Sequence, residues 1–111
     1  MHFTISLKKN NEFYLVYKKG KSVANKHLVL YALNNNKNIN KLGITVSKKV
    51  GKSVIRSRVT RLIKENYRLK ETRLKQGYDL VIIARDNCST ADFYDIKKSL
   101  EHLLKKQSLI L

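Results

Sequence analysis

Proline is absent from the 111 residues, glycine occurs four times, cysteine once, and acidic side chains number only 8. Each scarcity excludes something. Without proline or a domain-length shift in composition there is no linker signal, and the length suits one domain spanning 1–111 with a single core. A lone Cys88 rules out an internal disulfide and a cysteine-based zinc site, leaving a small semi-buried hydrophobe. No stretch approaches the ~20 apolar residues a membrane span needs, and Met1 to Lys9 lacks the apolar core of a signal peptide, so a cytosolic protein is expected. Sparse carboxylates give no acidic cluster for a protein-borne two-metal nuclease. Asp92 and Asp95 are accounted for by the first turn of a helix, where they complement its dipole.

What is abundant is positive charge: 24 Lys and Arg give a formal net charge of +16. Most of these cations cannot find an acid within the chain, and the self-repulsion opposes compaction. Such an excess matches a polyanionic partner, nucleic acid ahead of an acidic membrane surface. The segment from Lys48 through Arg68 concentrates it. On a 3.6-residue period Ile55, Val59, Leu62, Ile63 and Leu69 gather on one side of a helix, while Arg58, Arg61, Lys64 and Arg68 project from the other. Lys64 and Arg68, one turn apart with like charge, destabilise the helix by a few tenths of a kcal/mol unless counter-charge arrives.

Around this helix the pattern is α+β. Asn10 or Asn11 caps a short helix bearing Phe13, Val16 and Tyr17, which Gly20 ends. His27 to Leu33 alternates as a strand, with Val29, Tyr31 and Leu33 on one face and Leu28, Leu30 and Ala32 on the other. A short extended piece at Ser22 to Ala24 precedes it. Leu42 to Ser47 is the next strand, so the asparagine-rich Asn34 to Asn40 reads as a hairpin loop. The apolar run Leu80 to Ala84 suits an interior strand. Ser89, three residues before Asp92, suggests a capping box for a helix whose stripe is Phe93, Ile96, Leu100, Leu103 and Leu104. The expected order is α-β-β-β-α-β-α, a two-layer sandwich of helices against a small mixed sheet.

Several patterns resemble chemistry without carrying it. Gly51-Lys52-Ser53 sits between a strand and a helix like the end of a phosphate-binding loop, but that motif needs a glycine where Val46 stands. Gly51 is then turn geometry ahead of a Ser53 cap. His2, His27 and His102 lack metal-ligand spacing. The aromatics offer more. Phe13 and Tyr17 lie one helical turn apart and Tyr31 sits mid-strand, so a helix packed across the sheet brings them to one cleft where unpaired bases could stack. The alternative for Phe13 is an ordinary core position; the hydroxyls of Tyr17 and Tyr31 favour the cleft.

Together, Leu7-Lys8-Lys9-Asn10 with Phe13, Gly20 to Asn25, Leu42 to Gly51, the arginine helix and Ile82-Ile83-Ala84-Arg85 resemble the protein subunit of bacterial ribonuclease P. That family's helix motif is Arg-Asn-Arg, any residue, Lys-Arg. Arg56, Arg58 and Arg61 match it, Ser57 replaces the asparagine and Thr60 the lysine, with Lys64 a partial substitute for the lost charge. The resemblance implies an auxiliary subunit of an endonuclease that removes the 5′ leader from precursor transfer RNA, its catalysis carried by a magnesium-dependent RNA subunit. It implies no catalytic residue on the protein, a protein that is monomeric in isolation, and a left-handed β-α-β crossover, a rare connection. Carried over, Lys48, Lys49, Lys52, Arg56, Arg58, Arg61, Lys64 and Arg68 face ribonuclease P RNA, and Phe13, Tyr17 and Tyr31 face the leader of precursor tRNA. A small basic structural ribosomal protein is the alternative. A DNA-reading basic helix ranks below both, for want of a compact helix-turn-helix partner.

Overall fold

In a computed structural model of the chain, residues 4–111 are described. The elements run β1 (Thr4–Ser6), α1 (Asn10–Lys19), β2 (Lys21–Ala24), β3 (Leu28–Asn34), β4 (Asn40–Thr45), α2 (Ser53–Lys70), β5 (Tyr78–Ala84) and α3 (Phe93–Lys106), with short 3-10 turns at Glu71–Arg73 and Asp86–Thr90. The α+β pattern is therefore the expected one with β1 added in front. His2, among the histidines considered above, lies outside the described residues.

The sheet order is β1-β4-β5-β3-β2. β5 is parallel to β4 and antiparallel to β3, so the two strands flanking the asparagine loop are not hydrogen-bonded neighbours. This overturns the expected hairpin. The physical reason lies in β5 itself: its run is apolar on both faces, and only an interior position covers both. The loop spans the start of the inserted strand instead, where Asn35 Nδ2 donates to the Ile39 carbonyl at 3.1 Å and to Asp79 Oδ1 at 2.9 Å, and its backbone N–H donates to the Gly77 carbonyl at 2.8 Å.

Alternation along the strands divides the interior. Leu28, Leu30, Leu42, Leu80 and Ile82 join Val59, Ile63 and Tyr67 of α2 and Ile96, Leu100, Leu103 and Leu104 of α3 in the main core. On the opposite face Val81, Tyr31, Leu33 and Ile83 meet Leu7, Phe13 and Val16, so α1 lies across the sheet from the two longer helices. The C-terminal Leu109 is buried, and Leu111 N–H donates to the Arg73 carbonyl at 2.8 Å, docking the tail against the turn that follows α2.

The helix caps differ from expectation. Lys9, not Asn10 or Asn11, is the N-cap residue of α1, and its backbone N–H donates to Glu12 Oε1 at 3.2 Å. Gly20 does end α1, through close approach rather than a left-handed turn: its φ is −75°, and a Cβ there would lie 2.4 Å from the Val16 carbonyl oxygen. Lys52, not Ser53, is the N-cap residue of α2, after Gly51 at φ 155° has turned the chain. Asp92, not Ser89, caps α3: its Oδ1 accepts from Asp95 N–H at 2.8 Å while Asp95 Oδ2 accepts from Asp92 N–H at 3.0 Å. Two carboxylates one turn apart bond reciprocally to the free N–H groups, which a serine placed outside the first turn cannot reach.

Candidate nucleic-acid interface

α2 buries Val59, Ile63, Asn66, Tyr67 and Lys70. At 3.6 residues per turn that stripe leaves Leu69 on its margin, 51% exposed, rather than on the apolar face expected for it. Tyr67 is fully buried and its hydroxyl lies 2.9 Å from Thr4 Oγ1, which ties the edge strand β1 to α2. Burial pushes the Tyr67 phenol above its ordinary value. Lys70, 9% exposed, is paired with Glu101 of α3.

The cations do not behave alike. Lys48, Lys49 and Lys52 are exposed on the approach to α2, and Arg61 and Lys64 are exposed on the helix. Arg56 is half-buried, its Nε donating to the Gly51 carbonyl at 3.2 Å. Arg58 departs most from a freely projecting group. Its Nη1 donates to the Ala91 carbonyl at 2.8 Å and its Nη2 to the Ser89 carbonyl at 2.7 Å, so the guanidinium clamps α2 to the segment entering α3. Arg68 is also not left for an external counter-charge, since Glu65 one turn back pairs with it at 2.5 Å. That contact holds the Glu65 carboxyl below and the Arg68 guanidinium above their ordinary values.

Ion pairs among the described residues are Lys41 with Glu12, Arg68 with Glu65 and Lys70 with Glu101. Lys48, Lys49, Lys52, Arg61 and Lys64 therefore form a cationic strip without carboxylate partners among the described residues. Ser57 and Thr60 line a cleft of 420 Å³ with Ile44, Val46, Ser53 and Arg56, and Thr60 Oγ1 is occupied by the Arg56 carbonyl at 2.8 Å.

Across the sheet the aromatic residues converge. The Tyr17 and Tyr31 ring centroids are 5.1 Å apart, edge to face at 77°, and Phe13 is 6.4 Å from Tyr17. Fully buried Val16 anchors this face of α1, and Lys41 of β4 pairs with Glu12 at 2.9 Å, fixing the helix start. Gly43 makes room for the Phe13 ring, since a Cβ there would fall 2.4 Å from Phe13 Cε1. Tyr17 is exposed and its hydroxyl sits 3.4 Å from Thr45 Oγ1; Phe13 and Tyr31 are half-buried, serving the small core and the cleft together. Lys64 lines a 210 Å³ pocket with Phe13, Gly43 and Thr60, as well as a 630 Å³ groove on the other side of α2, and so stands between the two surfaces.

Sequence reading missed the Tyr67–Thr4, Glu12–Lys41 and Arg58 contacts, because each joins residues far apart in the chain; only the i to i+3 spacing of Glu65 and Arg68 was a local signal. Cys88 is buried, its thiol donating to the His27 carbonyl at 3.0 Å, and burial pushes its pKa up. His27 Nδ1 bonds Ser99 Oγ at 2.9 Å and His102 Nδ1 lies 3.2 Å from Asn25 Nδ2.

Known proteins place this arrangement. The ribonuclease P family model matches residues 1–108. The ribonuclease P protein component of Alkaliphilus oremlandii is 56% identical over 104 residues, covering 94% of this chain and 91% of that protein. That of Clostridium perfringens is 54% identical over 112 residues, covering 95% and 90%. Among solved structures, the Staphylococcus aureus RNase P protein superposes with a TM-score of 0.88 at 38% identity, covering 96% of this chain and 97% of that one. The Thermotoga maritima RNase P protein gives 0.83 at 31%, covering 91% and 96%. A family match over almost the whole length, joined to this sheet order and its cationic helix, leaves one assignment: the chain belongs to the ribonuclease P protein family.

Proposed function

We propose that the protein assists a ribonuclease P RNA in removing the 5′ leader from precursor transfer RNA, binding both RNAs while the RNA subunit and its magnesium carry out the cleavage. The observation that carries this reading is the pair of surfaces on opposite faces of one sheet, with Lys64 between them: cations on α2 and on the loop before it that have no carboxylate partner among the described residues, and an aromatic cleft between α1 and β3. Two polyanions repel each other, and a wedge with a formal charge of +16 lowers the cost of bringing them together. Phosphate contacts fix position without reading sequence, and stacking tolerates varied leaders. The strip from Lys48 to Lys64 faces the RNA subunit, with Arg56, Arg58 and Arg68 shaping its edges, while Phe13, Tyr17 and Tyr31 take the leader. In this reading the protein enters the particle as a monomer in the cytoplasm. A structural ribosomal protein is not favoured, since the relatives described above are ribonuclease P protein components.

Reconstitution with a ribonuclease P RNA tests the reading. The chain should stimulate leader removal at physiological magnesium, and Tyr31→Ala should weaken precursor binding more than mature tRNA binding. No stimulation, or an equal effect of Tyr31→Ala on both tRNAs, would count against it.

A further inference from the structure

The 630 Å³ groove between α2 and the start of α3 has a character that phosphate binding does not explain. Its lining includes Leu62 and the Phe93 ring beside Arg58, Arg61, Lys64 and the Arg68–Glu65 pair. Phe93 begins the apolar stripe of α3 yet remains half-exposed, and exposed Tyr94 meets it edge to face at 5.4 Å and 82°. A groove for the backbone alone would need no aromatic ring. Arg58 adds to the case: with Nη1 and Nη2 donated to the Ala91 and Ser89 carbonyls, its guanidinium is a fixed plane rather than a mobile phosphate clamp. Planar guanidinium and aromatic faces are what unpaired bases stack on.

We infer that this groove receives an unpaired nucleobase of the RNA subunit, seated against Phe93, Leu62 and the plane of Arg58, with the flanking phosphates on Arg61 and Lys64. The inference rests on the function proposed above and adds a base-reading element to a helix otherwise read as contacting backbone. Charge complementarity selects the occupant: with Glu65 neutralised by Arg68, the rim keeps the net positive charge of Arg58, Arg61 and Lys64, and an apolar slot of that kind suits a nucleotide, with a flat uncharged base and an anionic link on either side.

The chain has no tryptophan, so Phe93→Trp places a single indole in the slot. Titrated with ribonuclease P RNA, its emission should be strongly quenched on binding, because a stacked base quenches an indole that a phosphate would leave bright. Phe93→Ala should weaken RNA affinity by about 5- to 150-fold, the range of one stacked base, with no change in the slope of log affinity against log salt. Arg61→Ala should lower that slope by about one unit. Unquenched indole emission at saturation, or a slope change for Phe93→Ala matching that of Arg61→Ala, overturns the base slot while leaving the function intact. Failure of the unmodified chain to bind the RNA overturns both. Phe93→Leu, which keeps the packing and removes the ring, should bind as weakly as Phe93→Ala; affinity equal to the unmodified chain would show the groove to be structural.

Discussion

Gly43→Ala tests whether the aromatic cleft is built by packing. The added Cβ would stand 2.4 Å from Phe13 Cε1, 2.5 Å from Cζ and 3.3 Å from Leu7 Cδ1. Comfortable carbon contacts begin near about 3.5 Å, so the ring must move by roughly 1 Å or α1 must lift. Neither is free, because Val16 is fully buried beneath the helix and the Glu12–Lys41 pair fixes its start. Overpacking of this kind costs about 1 to 3 kcal/mol, and at about 4 °C per kcal/mol the melting temperature should fall by about 4 to 12 °C. Displacing Phe13 also disturbs the row it forms with Tyr17 and Tyr31. In the reconstituted enzyme the preference for precursor over mature tRNA should therefore drop, by up to the ~1 to 3 kcal/mol of one stacked base. Affinity for the RNA subunit should change less, since of the cations assigned to it only Lys64 shares a pocket with Gly43 and Phe13. Removing the ring removes the clash, so Gly43→Ala in a Phe13→Ala background should cost far less than in the unmodified chain. Additivity of the two substitutions within about 0.5 kcal/mol would refute the reasoning, as would an unchanged melting temperature with unchanged tRNA discrimination.

Arg58→Ala and Arg61→Ala should separate structure from binding. The first should lower stability by about 1 to 3 kcal/mol in denaturant titration, because it removes the donors to the Ala91 and Ser89 carbonyls; the second should stay within about 0.5 kcal/mol while reducing the salt dependence of RNA binding. Tyr67→Phe leaves the buried Thr4 hydroxyl without the Tyr67 Oη partner and should cost about 1 kcal/mol, with amide exchange rising first in β1; unchanged protection there would show that the strand does not depend on this bond. Lys41 and Lys70 hydrogen bonds hold the Glu12 and Glu101 carboxyls below their ordinary 4.5. The unfolded chain then binds these protons more readily, so the stabilisation is full above about pH 4.5 and is lost as pH falls through the lower folded values. Thermal melts from neutral pH to about pH 3 should show this decline, and Glu101→Gln should flatten it; an acid limb unaltered by that change would assign the loss to other carboxylates.

What the sequence determined by itself was what is additive or follows a repeating side-chain period. Charge sums regardless of fold, so the polyanionic partner was legible from the excess of cations over 8 acids. The two-residue period of Leu28 to Leu33 and the unbroken run Leu80 to Ala84 named two strands, the second of them interior, because side-chain direction follows backbone period. Tertiary structure decided which strands became neighbours and which cations stayed free. β1, three residues long, has no amphipathic signature and exists through its parallel register with β4, Thr4 opposite Asn40. The Asn34 to Asn40 loop has a hairpin's composition, yet β5 takes the place between its strands, a contest settled by pairing across distant chain. Arg58 and Arg61 are alike as residue types, but carbonyls some thirty positions away capture the first and leave the second facing solvent. Hydrogen-bond partners remote in sequence leave no local trace, and they separate the clamp from the contact.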